Sequence, residues 1–285
     1  MTNSLTPSST WYDSDISDIR GHEPSWYERN LLDINDRAHK RQCQSGQPYS
    51  LPSGQNDPEH RPTTTTEEDI RLFWTKYSSP TAPPVITFFG SKGQLGFLSN
   101  FFVFNLIQFH IPAWCSAGKR TPLYTVSSAE QMIMLMKAHL FKDTNTATAI
   151  AQAKLPYEAR SLGRSVPRFT DEIWNRNVCA IAHYAPMAKF SNERNPMLRD
   201  QLINTGDAIL AEATVHDKKW SIGTNTDDIR ARHPHTFAGS NIQGFTLMEI
   251  RKTLRDQATQ GDPLRTNNHG WINHLQLPDA GLVQV

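Results

Sequence analysis

Thr125-Val126-Ser127-Ser128-Ala129-Glu130-Gln131-Met132-Ile133-Met134-Leu135-Met136-Lys137-Ala138-His139-Leu140 is the stretch whose reading decides the fold. Ser127 and Ser128 offer side-chain oxygens to the free amides of a first helical turn. Residues 129 to 140 then run through good helix formers without Gly or Pro. Apolar side chains at 129, 132, 133, 134, 135, 136, 138 and 140 go round most of the circumference, which predicts a helix buried at the centre of the molecule. Glu130 and Lys137 stand seven residues apart, so about two turns return them to nearly one face, about 10 Å apart along the axis. That is too far for a simple ion pair and suits flanking something the size of a sugar. A charge on a buried helix is costly unless it meets partners or a pocket.

Around this helix the chain divides into three. Residues 1–80 are rich in Ser, Thr, Pro, Asn and Asp and read as a largely disordered extension with a helical island from Ser25 to Asp33. Near its end Thr66 and Asp69 form a capping-box pattern, with Ile70, Phe73, Trp74 and Tyr77 on one face of a short helix. Residues 81–258 are expected to form the compact domain, and residues 259–285 a polar tail. Within the domain, Val85 to Phe89 reads as a strand and Gly90 to Gly96 as a flexible turn, without the spacing of a P-loop or a dinucleotide fingerprint. Phe104 to Pro112 and Tyr124 to Val126 read as further strands, with a loop from Ala113 to Pro122. After the central helix come short helices at 145–155 and 156–162, the second closing at Gly163. Thr170 caps a long helix from Asp171 to Ala188, with Pro186 as a candidate break. A helix at 195–205, a strand at 209–214, a polar loop from Trp220 to His235 and a last helix from Phe245 to Asp256 complete the domain. The expected class is mainly α, an α-rich α+β domain with a few short strands.

Composition narrows the function. Hydrophobic residues make up 38% and aromatic residues 9%, enough for a sizeable core. The 29 basic and 28 acidic residues give a net charge of +1, so no overall field favours nucleic acid or a membrane surface. No apolar run approaches a span of about 20 residues, and Met1 to Arg20 is polar. An intracellular site, cytoplasmic or nuclear, with no signal peptide is therefore the expectation. Three separated cysteines (43, 115, 179) fit reduced thiols. No zinc-type spacing occurs, and no metal is expected.

Four segments in order resemble one family. Gly96-Phe97-Leu98-Ser99-Asn100-Phe101 resembles a Gly-aromatic-x-Ser-Asn-Phe signature, and Ser128-x-Glu130 with Lys137 resembles a helix start followed by Gln and Lys. Trp174, Lys189-Phe190, Asn195 and Leu198-Arg199 resemble a middle signature. Trp220-x-x-Gly223, Gly239-x-Asn241-x-x-Gly244 and Leu247-Met248-x-x-Arg251 resemble its end. Together they are similar to the NADAR superfamily of YbiA-like domains. In this sequence Gln131 stands where many members carry His, and Ala129 where they carry Ser. The resemblance covers about residues 85 to 256 and implies an α-rich fold that cleaves N-glycosidic bonds without a cofactor. Its implied substrates are ADP-ribose on guanine in nucleic acid or, in the YbiA branch, phosphoribosylated intermediates of the riboflavin pathway. An ADP-ribose-binding module without catalysis is a third reading.

The residues suit that chemistry. Glu130 is the candidate acid or base, since a carboxylate can stabilise an oxocarbenium ion and activate water. Lys92 on the Gly-rich turn and Lys137 are candidates for a Schiff-base nucleophile or a phosphate ligand, with Lys92 favoured as the nucleophile because a turn can deliver it. Trp174 and Trp220 are candidates to stack on a base or ribose. Arg164, after Gly163 at a turn, is a candidate to bind pyrophosphate, against a surface role. Asp227 suits ribose hydroxyls, and Asn100 and Asn241 suit ligand contact or loop anchoring. Phe89, Gly96, Ser99, Phe101, Gly223 and Gly244 complete the expected substrate-binding set.

Overall fold

Helix-forming sequence and a few short β-branched runs give an α-rich α+β domain in the computed structural model. The structure describes residues 61–77 and 82–259. The helical island at 25–33, Cys43 and the tail beyond 259 lie outside the described residues.

Thr66 caps α1 (Glu67–Thr75) in a capping box with Asp69, as its sequence predicts, and Phe73 and Trp74 are buried. Strand β1 (Val85–Phe88) pairs in parallel with β4 (Ile209–Glu212), Val85 opposite Ile209 and Phe88 opposite Glu212. The chain between them holds an antiparallel pair, β2 (Ile107–Phe109) with β3 (Tyr124–Val126), and the helical body. That body comprises α2 (Ala113–Ser116), α3 (Ala129–Leu140), α4 (Thr144–Gln152), α5 (Pro156–Arg164), α6 (Asp171–Phe190) and α7 (Pro196–Ile203). Helix α8 (Ile242–Thr259) follows β4 and packs on β4, α6 and α7.

Helix α3 is the centre. Ser128 accepts from the Gln131 amide, and residues 129–136 and Ala138 are buried. Neighbours α2, α4, α5 and α6 wrap it, which an apolar stripe around the whole circumference requires. Gln131 joins two of these layers: its Nε2 donates to the carbonyls of Ile150 and Ala153, each at 3.0 Å, and its Oε1 accepts from the Ser127 amide at 3.2 Å.

Several elements differ from their sequence reading. Gly163 lies inside α5, which ends a residue later. A β-carbon there would sit 2.1 Å from the Met134 sulfur, so the glycine serves close approach of α5 to α3 instead of ending a helix. Pro186 does not break α6, whose thirteen buried residues hold it to Phe190; packing of that extent outweighs the roughly 3 kcal/mol a helical proline costs. The expected loop after Pro112 opens with the single turn α2, closed by Ala117 in the left-handed region (φ 54°). Helix α8 begins at Ile242, three residues before Phe245. Its first amides find partners in the preceding loop, Ile242 donating to Lys219 and Gln243 to Trp220, which satisfies donors that a helix start leaves open.

At Gly244 the helix lies against β4. A β-carbon there would meet the Leu210 carbonyl oxygen at 1.9 Å and both side-chain polar atoms of Asn241 within 2.7 Å. The Asn241 side chain itself stitches the two elements, donating to Leu210 O (2.9 Å) and accepting from the Glu212 amide (3.1 Å). Gly244→Ala is therefore expected to destabilise the domain by about 3 kcal/mol and lower Tm by roughly 10 °C in a thermal melt, because the obstruction is backbone and cannot swing aside.

Candidate active site

Residues 130, 134 and 137 of α3 share one face by helical spacing, as do 160 and 164 of α5. Where those faces meet the carboxyl end of β4 there is a cleft of about 180 Å³. It is lined by Asn100, Phe101, Glu130, Met134, Lys137, Arg160, Arg164, Trp174, Glu212, Asp217 and Trp220. Three cationic and three acidic side chains therefore face one small space, between two tryptophans.

The loop from 97 to 101 forms one wall and is held by buried polar groups. Lys189, wholly buried on α6, donates from Nζ to the carbonyls of Phe97 and Ser99 and lies against the Phe102 and Phe190 rings. Burial pulls its pKa down to about 7. The Asn100 and Gln243 side-chain amides bond each other, and Gln243 also donates to Leu98 O at 3.0 Å. Ser99 Oγ accepts from the Phe101 amide. The Asn100 carbonyl accepts from the Glu130 amide at 2.9 Å, which ties this loop to the start of α3.

Glu130 is only 7% exposed, and among the described residues its carboxylate makes no hydrogen bond or ion pair. Burial pushes its pKa up to about 7; Asp217 raises it further, while Arg160, Arg164 and Lys137 pull it back. Glu212, at the end of β4, is pushed up to about 8 by burial, then by Asp217 and Glu130. Arg160 lies 3.7 Å from Asp217 and over the Phe101 ring. Lys137 lies over Phe169 (4.5 Å to the ring centre) and Trp174 (5.4 Å). Burial and the Arg164 charge lower its pKa, against the pull of Glu130. The two buried carboxyls, Glu130 and Glu212, are thus held near neutrality in one cleft, an arrangement suited to proton transfer.

Of the residues singled out in the sequence, Glu130, Lys137, Asn100, Phe101, Arg164, Trp174 and Trp220 line the cleft. Lys92 is exposed on the 90–96 turn and outside the lining, as is Phe89 at 65% exposure. Asp227 is exposed in its loop. Ser99, Gly96, Gly223, Asn241 and Gly244 are not among the residues that line the cleft. A β-carbon on Gly96 would strike the Ser91 carbonyl, and Gly223 turns in the left-handed region (φ 75°) against Gly239. The sequence reading missed Met134, Arg160, Glu212 and Asp217. Arg160 was legible as the residue four before Arg164 on one helical face. Glu212 was legible as a carboxylate ending a buried strand, the place where open α/β sheets bind ligands. Asp217 belongs to the turn before Trp220, where its Oδ1 accepts from the amides of Lys219 and Trp220 at 3.0 Å each.

Among the described residues no cluster of three or more His, Cys, Asp or Glu side chains could hold a metal ion, and no helix is long and apolar enough to cross a membrane. Cys115 and Cys179 are free and buried.

Comparison with known proteins places these features in a family. An N-glycosidase of Acanthamoeba polyphaga mimivirus is 34% identical over 125 residues, 44% of this chain and 72% of that protein. An N-glycosidase of Nostoc punctiforme is 31% identical over 115 residues, 40% of this chain and 65% of that one. The irg-1 protein of Caenorhabditis elegans is 30% identical over 138 residues, 48% and 64% of the two chains. The matched stretch thus spans just under two thirds of the latter two. The NMR structure of E. coli YbiA aligns at a TM-score of 0.47 and 22% identity, over 65% of this chain and 94% of that one. Residues 87–255, from within β1 to near the end of α8, match the NADAR domain, and the chain belongs to that family.

Proposed function

We propose that the cleft hydrolyses an N-glycosidic bond, with ADP-ribose on guanine in nucleic acid as the substrate. The observation that carries the reading is Glu130: a buried carboxyl, poised near neutrality, in a cleft that also holds Lys137, two arginines and two tryptophans. The names of two similar proteins as N-glycosidases support the reaction class. At about 180 Å³ the cleft is smaller than the usual pocket for a drug-sized ligand. It suits the ribose at the scissile bond with its nearer phosphate, leaving the remainder of the substrate outside.

In this reading Glu130, at the start of α3 and raised to near neutrality by burial, takes a proton from water as the water oxygen bonds to the anomeric carbon. Glu212 gives its proton to the departing base as the carbon–nitrogen bond breaks. Two carboxyls in one cleft, both raised from the ordinary carboxylate value by burial, can serve as base and acid in such a reaction. Arg160, Arg164 and Lys137 supply the cations for phosphate, and Trp174 and Trp220 the stacking faces. A covalent variant uses Lys137. Its neutral amine bonds to the anomeric carbon, the base leaves with the Glu212 proton, and the ring opens to an imine. Water then releases the sugar and restores the amine.

Three measurements test this. Glu130→Gln is expected to lower kcat for ADP-ribose release from a guanine-modified oligonucleotide by about 100-fold or more; full activity in that variant rules out the assignment. Turnover of a phosphoribosylated riboflavin-pathway intermediate in its place, or tight ADP-ribose binding with no turnover, would select one of the other two readings. Borohydride added during turnover should leave a reduced sugar on Lys137 if the covalent route operates, and an adduct mapped to Lys92 would overturn Lys137 as nucleophile.

The third concerns pH. The Glu130 carboxyl binds its proton more tightly in the folded protein (about 7) than its ordinary value of 4.5. The folded state is therefore favoured below 4.5, and that contribution is lost as pH rises towards 7. Glu130→Gln removes the loss. Its stability relative to the wild type should grow between pH 5 and pH 8 by up to about 3 kcal/mol, read from urea unfolding at the two pH values. A difference independent of pH would show that the buried carboxyl is not strained by its charge.

A further inference from the structure

Helix α1 lies outside the stretch that matches the NADAR domain, which begins at residue 87. Its first residue nevertheless reaches the loop that carries two cleft residues. Glu67 Oε2 accepts from Lys219 Nζ at 2.5 Å, and Glu67 Oε1 accepts from Ser240 Oγ at 2.6 Å. Lys219 Nζ also donates to Asn175 Oδ1 on α6 at 2.9 Å. Further along α1, Trp74 Nε1 donates to the Ser240 carbonyl at 2.8 Å. Ser240 in turn donates its amide to Lys218 O at 2.7 Å, which joins the 218–221 strip to the start of α8.

Lys219 is the neighbour of Trp220 in the chain and lies two residues beyond Asp217, both of which line the cleft. Its own side chain leaves the cleft and ends between α1 and α6. The backbone of the Asp217–Trp220 turn is held on the cleft side by the Asp217 carboxylate and on the outer side by this lysine. Glu67 and Lys219 are each less than a third exposed, so their attraction is screened less than that of a surface pair. Phe73 and Trp74 anchor the helix by burial.

We propose that Glu67 and Lys219 form a clamp by which α1, an addition to the family domain, sets the position of Trp220 and with it the fit of the substrate. Glu67 and Lys219 are positioning residues; neither lines the cleft. The link to substrate rests on the function proposed above, so the test includes a reading that needs no turnover.

The full chain is compared with Lys219→Met, which keeps the aliphatic stem and leaves α1 untouched, with Glu67→Ala, and with Glu67→Gln, whose Oε1 keeps an acceptor for Lys219 while its Nε2 can donate to the Ser240 hydroxyl oxygen. Acrylamide quenching is measured for each protein and for the same protein carrying Trp220→Phe, and the difference isolates Trp220. In Lys219→Met and Glu67→Ala that difference should rise by about twofold or more, while Glu67→Gln stays close to the wild type. With the guanine-modified oligonucleotide, KM should rise by about fivefold to tenfold and kcat change by less than about twofold. Unchanged Trp220 quenching in both disruptive variants overturns the clamp. So does a fall in Tm with KM and kcat intact, since that is the signature of a helix that only adds stability. A quenching change in a protein whose wild type releases no ADP-ribose leaves the clamp standing and removes the proposed reaction instead.

Discussion

A carboxyl group is buried at the first turn of a helix that has almost no solvent side. Helix α3 can be stable only if other elements cover nearly its whole circumference, and α2, α4, α5 and α6 do so. Along the face that carries Glu130, Met134 and Lys137 that covering leaves a cleft. The Asn100 carbonyl satisfies the Glu130 amide, and the side chain is left facing the cleft without a described hydrogen-bonding partner. Burial therefore raises its pKa, and the nearby cations limit the rise. The packing that gives the fold its centre also gives the site its proton balance.

The walls of the cleft depend on polar groups that are themselves out of water. Lys189, the Asn100–Gln243 amide pair and Asn241 make bonds to loop and strand backbone that only a fixed tertiary arrangement can supply. Such groups are costly when unsatisfied and define one conformation when fully bonded. Much of what resembles a family signature in the sequence thus has a supporting task. Asn241 and Gly244 join α8 to β4, and Lys189 holds the loop before Phe101. The lining residues Glu130, Lys137, Arg160 and Arg164 stand in front of them.

The central helix, the capping box at Thr66, the long helix from Asp171 and the strand at Val85 were legible because each rests on local chemistry: caps, periodicity and β-branched runs. The errors occurred where a local signal had a long-range cause. Gly163 looked like a helix end, yet the glycine is needed for contact with a side chain 29 positions earlier in the chain. Pro186 looked like a break, yet burial along α6 carries the helix through it.

The sequence by itself determined that Glu130 and Lys137 share a face of a buried helix, because helical spacing is a property of the backbone. It also determined the order of segments that resembles the NADAR family. Only the tertiary structure decided which lysine lines the same cleft as that carboxylate. Lys92 and Lys137 are alike as side chains; one stands exposed on a glycine-rich turn and the other lies against Phe169 and Trp174 in the cleft. The same holds for Glu212 and Asp217, which are distant from Glu130 in the chain and reach its cleft only because β4 pairs with β1. Local sequence sets the direction of a side chain, but its neighbours, and hence its charge, follow from contacts between residues far apart in the chain.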